Sequence, residues 1–253
     1  SGGLMIIDMS NLPGAITMGD VSSYSGSTYP FTSAHDIYVD ENGVGYILGA
    51  DNGVGGAIML DLFTDPLNPT ELGRYDDFYL HDAMVRGDTL WGGAIYDGFF
   101  VAVDVSNKSN PVTMATQNTP KNFTHNCWIS DDGHTLYTTD EKSDAYVASY
   151  DVSNLSNITE LDRVQSSPGM NVIPHNTYFI NDYIVTSYYT DGITIHDVLD
   201  PTNMVEVGNY DTSPSFSGIG FNGCWGVYPY LPSGIIIASD RQDGLYVLGP
   251  TYV

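Results

Sequence analysis

Six histidines hold most of the ligand chemistry in this chain, and four of them recur in one frame. The pairs His35-Asp36, His81-Asp82, His125-Asn126 and His175-Asn176 start 46, 44 and 50 residues apart, and Asn222-Gly223 follows 47 residues later in the same frame. A neutral imidazole ligates zinc, iron, copper or nickel. A neighbouring carboxylate can ligate too, or orient the ring through its second nitrogen. Asp140 and Glu141 close the segment that His125 opens. The candidate metal set is therefore His35, His81, His125, His175, Asp140 and Glu141. A second use is open to the same residues: a repeated His-Asp or His-Asn can cap each repeat by bonding backbone groups of its neighbour. His134, beside the Asp132-Gly133 turn, and His196, inside an apolar run, fall outside the frame and read as surface and packing residues. There is no Gly-x-Ser-x-Gly, Walker loop or His-Glu-x-x-His pattern.

The elements that would position these histidines repeat with them. A period of about 20–50 residues marks an array of supersecondary units. Each repeat reads as four strands. The first begins at the histidine pair, and the second holds runs such as Tyr46-Ile47-Leu48 and Ile184-Val185-Thr186. A turn then carries Asp97-Gly98, Asp191-Gly192 or Asp243-Gly244, the signal for a type I′ hairpin. The third strand is an apolar run closed by Asp: 4–8, 57–61, 100–104, 147–151 and 193–197, with a sixth copy at 245–248 that lacks the Asp. Another strand is expected over 15–19. Nowhere do apolar residues recur at helical spacing over ten residues. Four short strands repeated radially make an all-β fold, a β-propeller of four-stranded blades. Residues 1–253 are read as a single propeller domain with repeats starting near 35, 81, 125, 175 and 222 and about five and a half blades present. Because the chain opens at a third strand, an N-terminally incomplete ring is expected. In a propeller the first strands line the axis, which would put the four histidines on one face of the channel with Asp140 and Glu141 close to His125.

Composition narrows the partners. Seven Lys and Arg stand against 31 Asp and Glu, for a net charge of −24. That field repels nucleic acid and anionic membrane surfaces. No apolar run approaches the length of a membrane-spanning helix. With 27 Gly for turns and 19 Tyr for strands, the chain reads as an all-β protein outside the cytosol. Cys127 and Cys224 occupy the same place in two repeats with a whole repeat between them, so two buried, unbridged thiols are expected.

The order of these units resembles the LVIVD-repeat proteins of the choice-of-anchor B family. The resemblance rests on Gly2 to Asn11, Ala34-His35-Asp36, Leu80-His81-Asp82, Thr124-His125-Asn126, His175-Asn176, Phe221 to Pro229, Ser239-Asp240 and Gly244 to Leu248. It implies a bacterial secreted or surface-attached propeller, of seven blades in the intact protein, and it implies no catalytic activity.

Function then rests on the site. The first reading is an extracellular binding or scaffold module that presents one face to a protein or glycan partner. Aromatic residues in the loops entering the first strands, among them Tyr29, Phe31, Phe78 and Tyr79, are the candidates for contact. The alternative is a metalloprotein or metal-dependent enzyme with a divalent transition metal at the axial histidines. Asp51, Asn52, Asp76 and Asp77 offer oxygen ligands for calcium, without an EF-hand or calcium-repeat spacing.

Overall fold

The computed structural model describes residues 2–250. The chain is all-β, and the only helical element among the described residues is a 3₁₀ turn at Met18–Asp20. Strands β1 (Leu4–Ile7) and β2 (Val21–Tyr24) form a hairpin. Four consecutive four-stranded sheets follow, each in sequential order. The first holds β3 (Asp36–Val39), β4 (Val44–Leu48), β5 (Ala57–Asp61) and β6 (Thr70–Tyr75). The second holds β7 (Ala83–Arg86), β8 (Thr89–Ala94), β9 (Phe99–Asp104) and β10 (Val112–Asn118). The third holds β11 (Thr124–Ile129), β12 (Thr135–Asp140), β13 (Val147–Asp151) and β14 (Thr159–Val164), and the fourth β15 (Thr177–Ile180), β16 (Tyr183–Ser187), β17 (Ile193–Asp197) and β18 (Val205–Tyr210). A three-stranded sheet of β19 (Cys224–Tyr228), β20 (Ile236–Asp240) and β21 (Gly244–Leu248) ends the series. These are the blades of a β-propeller. The chain divides into two compact units, 1–92 with 102–114 and 93–101 with 115–253, and the division runs through the second sheet.

All six apolar third strands form where the repeat places them. The strand expected over 15–19 does not. Asp20 draws the Thr17 amide and hydroxyl onto one carboxylate oxygen, both at 2.7 Å, which winds residues 18–20 into a turn and delays the strand to β2. The Asp-Gly turns also differ from the type I′ expectation. Gly98, Gly192 and Gly244 have φ of +80°, +75° and +87°, while none of the preceding aspartates has positive φ. A type I′ turn needs positive φ at both central residues.

Each unit has its own core, set between sheets. In the first unit Phe31, Ile47, Ile58 and Leu60 pack with Leu4 and Tyr24. In the second, one cluster joins Tyr137 and Val147 to Phe179, Ile184, Tyr188 and Met204, and another joins Val185 and Ile193 to Cys224, Val227 and Ile236. Sheets covered on both faces lose the period-2 pattern in their inner strands. Accordingly all six residues of β12 are buried, whereas β18 is mostly exposed. Cys127 and Cys224 are buried and not in a disulfide, and burial pushes the Cys224 thiol up to about 12.

Much of the acidity is spent on turns and loops. The aspartate that closes each third strand accepts an amide just beyond it: Ser10 on Asp8, Thr64 on Asp61, Ser106 on Asp104, Ser153 on Asp151 and Leu199 on Asp197, all between 2.8 and 3.0 Å. These side-chain turns fold the chain back toward the fourth strand. A second set pins the loops entering the first strands. Asp51 holds Thr32 and Ser33. Glu71 holds the amides of Ser27, Thr28 and Tyr29. Asp240 holds Thr212 and Ser213. Partial burial works against the charge of Glu71, but these donors win and hold its carboxyl at about 2.

Asp140 is the most buried member of this set, at 1% exposure, and accepts from the Thr119 hydroxyl and the amides of Lys121 and Phe123. Replacing it with alanine strands three donors in the interior. Asp140→Ala is expected to lower unfolding free energy by about 3 kcal/mol, measured by denaturant titration, and Glu71→Gln by less because its loop can turn to water.

Candidate functional site

The four in-frame histidines all lie at the entry of first strands. In the first unit, His35 and His81 stack with ring centroids 3.6 Å apart, and His35 Nε2 lies 3.9 Å from Asp82 Oδ1. Donor atoms of His35, His81 and Asp82 all fall within 4.8 Å of one another. Burial lowers the pKa of both rings. Burial and the neighbouring His35 charge together push His81 down to about 4.

In the second unit, His125, Glu141 and His175 form a more deeply buried group. His125 and His175 are 1% and 3% exposed, with ring centroids 4.2 Å apart. The Glu141 carboxylate lies near the Nε2 atoms of both rings, Oε2 at 3.7 Å from His125 Nε2 and Oε1 at 3.8 Å from His175 Nε2. Burial raises the Glu141 pKa, and the Tyr189 hydroxyl and the Arg241 charge act against that rise.

Local structure accounts for each placement. Thr124 pairs with Asp140 and Asn126 with Thr139, so His125 is the bulged residue between them. A bulge re-aims a side chain out of the ladder. Gly93 lets the His125 backbone approach, because a Cβ there would collide with the His125 carbonyl. Glu141 hangs just past β12, its amide bonded to the Phe123 carbonyl at 3.2 Å. His175 is anchored by its amide to the Ser187 carbonyl at 2.8 Å, and its Nδ1 bonds the Trp225 carbonyl oxygen. Tyr189 donates to Glu141 Oε1 at 2.6 Å.

The structure thus brings Glu141 together with His125 and His175, and His35 together with His81 and Asp82. Asp140 is turned away to hold its loop. Tyr189, Trp225 and Arg241 enter the second group without having been singled out from sequence. The signal for Trp225 is the repeated Cys-Trp, and for Tyr189 its place two residues before the Asp191-Gly192 turn.

The other candidates are occupied structurally. Asp51 is bonded to Thr32 and Ser33, Asp76 pairs with Arg74 at 2.9 Å and Asp77 accepts from Thr113 at 2.7 Å. Asn52 donates to the Pro30 carbonyl and accepts from Arg74. These oxygens take part in hydrogen bonds and an ion pair within the first unit. Phe31, expected to face a partner, is 2% exposed and lies in the core. Tyr29 carries Arg74 over its ring at 5.0 Å, and Tyr79 packs over Gly49 and Gly55. Tyr29, Phe78 and Tyr79 are half-buried. Among loop aromatics, Phe221 is exposed and Phe216 half-exposed. His134 is exposed beside Asp132, as expected of a surface residue, and His196 is buried in β17.

Comparison with known proteins identifies LVIVD repeats at residues 94–119 and 183–212. No curated protein matches the chain in sequence. Solved structures share the fold. The Pseudomonas aeruginosa periplasmic gluconolactonase aligns with a TM-score of 0.66 at 11% identity, over 85% of this chain and 65% of that one. A Lactobacillus plantarum protein aligns at 0.64 and 14%, over 96% and 80%. The Cps50 propeller domain of Myceliophteria thermophila aligns at 0.61 and 12%, over 89% and 71%. Among the described residues no helix is long and apolar enough to cross a membrane. The chain is a β-propeller that carries LVIVD repeats.

The depressed titration of His81 has a testable consequence. Its folded pKa lies below the ordinary 6.5, so as pH falls the unfolded chain takes up this proton first. The stability tied to the neutral ring is full above about 6.5 and is lost as pH falls toward about 4. NMR titration of the His81 ring Hε1 should give a midpoint near 4, and a midpoint at or above the ordinary 6.5 would contradict the burial of its neutral ring.

Proposed function

We propose that this chain is an extracellular binding module: a bacterial secreted or surface-attached propeller of the choice-of-anchor B kind, with seven blades in the intact protein, that grips a neutral glycan on a surface partner. The fold alone does not select a use, since it is carried both by a gluconolactonase and by the Cps50 propeller domain. The observation that carries the reading is a concavity in the second unit at the edge of the fourth sheet. It is lined by Phe216, by the hydroxyl of Ser166 and by Asp191, Glu206, Asn209 and Asp211.

This composition suits a sugar. A ring such as Phe216 covers the apolar face of a pyranose, while carboxylates and an amide accept and donate to its hydroxyls. The lining is held in place beforehand. Ser166 donates to Asp191 at 2.6 Å, Asn209 to Glu206 at 2.8 Å, and the Ser213 amide to Asp211 at 2.8 Å. Prior ordering lowers the entropy lost on binding. Three carboxylates in one concavity, on a chain of net charge −24, repel anionic polymers. That argues for neutral glycans over acidic ones and against nucleic acid.

The test is a neutral oligosaccharide array followed by calorimetry on the best ligand. Phe216→Ala should weaken binding at least about fivefold, as lost ring stacking of order 1 kcal/mol or more implies, with unchanged thermal stability. No binding to any neutral glycan, or binding that Phe216→Ala leaves intact, would overturn the assignment.

A further inference from the structure

We propose that His125, His175 and Glu141 form a binding site for one divalent transition metal ion of the zinc class. The Trp225 carbonyl oxygen can only accept, so the Nδ1 bonded to it carries the hydrogen. In the neutral ring, Nε2 of His175 is therefore an acceptor, 3.8 Å from a Glu141 carboxylate oxygen, and ligand atoms of His125, Glu141 and His175 all lie within 4.8 Å of one another. Three acceptor atoms this close together can share one cation.

Separation identifies the cation. At 3.7 and 3.8 Å, the two Nε2···O distances exceed a hydrogen bond. Zinc binds imidazole nitrogen and carboxylate oxygen at about 2.0–2.2 Å. Two such donors at angles of about 110–130° sit roughly 3.3–3.9 Å apart, so the observed spacing already accommodates an ion of this size. Two imidazoles with one carboxylate is a borderline donor set that suits zinc, iron, cobalt, nickel or copper better than calcium or magnesium.

The supporting contacts are those expected around ligands. A ligating histidine commonly bonds its second nitrogen to a backbone carbonyl, which fixes tautomer and orientation; His175 does so through Trp225. A ligating carboxylate is itself hydrogen-bonded; Glu141 is, through Tyr189. Burial of both rings, with Glu141 partly buried beside them, makes their charge balance costly without a counterion. Three protein donors also leave a coordination position for water or an exogenous ligand. The competing arrangement is a proton in place of the metal, an imidazolium–carboxylate pair.

The experiment uses the protein without a polyhistidine tag, loaded with zinc, dialysed against metal-free buffer and assayed by elemental analysis, with circular dichroism to confirm the β fold. About one equivalent per chain should remain in the wild type and in the surface control His134→Gln. His175→Ala should retain less than about a tenth of an equivalent. Glu141→Gln, which keeps size and shape, should weaken zinc affinity about 10–100-fold and serves if His175→Ala does not fold. Failure of the folded wild type to hold zinc, iron(II), cobalt(II) or copper(II) would overturn the site. So would an ion kept undiminished by Glu141→Gln. The glycan reading stands or falls separately, since Phe216 takes no part here.

Discussion

Asp140 sits at the end of β12 with its carboxylate buried, and three donors from residues 119–123 converge on it. A buried carboxylate is tolerable only when its lone pairs are taken up in this way. The consequence reaches the histidines. With Thr124 paired to Asp140 and Asn126 to Thr139, His125 is left in the bulge and its ring leaves the ladder. The next residue, Glu141, is held by its amide to the Phe123 carbonyl, and its carboxylate lies near the Nε2 atoms of His125 and His175. One carboxylate holds the loop so that its neighbour can meet two imidazoles.

The same division of labour runs through the chain. Its negative charge is high, yet individual carboxylates are tied to particular amides and hydroxyls. Asp8, Asp61, Asp104, Asp151 and Asp197 fold the third strands back, while Asp51, Glu71 and Asp240 fasten the entering loops. Loops so fastened give the concavity near Phe216 a fixed shape and give the buried histidines a fixed spacing. Donors hold the carboxyls of Asp51, Asp61, Asp104, Asp151, Glu71 and Asp240 below the ordinary range, so the stability these contribute is present above that range and lost as pH falls through the lowered values.

The third strands were legible because an apolar run closed by Asp is a local signal, and the hairpin positions because Asp-Gly is one. The turn type was not, since it depends on whether the aspartate as well as the glycine takes positive φ, and only the glycine does. The histidine frame was legible from spacing. Its chemistry was not, because the groups that orient His175 come from elsewhere in sequence: the Trp225 carbonyl 50 residues away and, through Glu141, the Tyr189 hydroxyl. Sequence also offers no means to separate Asp140 from Glu141, adjacent and alike, when a bulge decides which one turns inward. Phe31 misled for a similar reason: an aromatic residue in a loop is a contact residue or a core residue according to how the sheets close over it, and here they close completely.

The most direct test of the metal assignment is anomalous diffraction from zinc-loaded crystals, collected on both sides of the zinc absorption edge. One strong peak is expected within about 2.2 Å of His125 Nε2, His175 Nε2 and a Glu141 carboxylate oxygen. No peak there, with His175 Nε2 drawn to Glu141 at hydrogen-bond distance, would contradict it and leave an imidazolium–carboxylate pair in the metal's place.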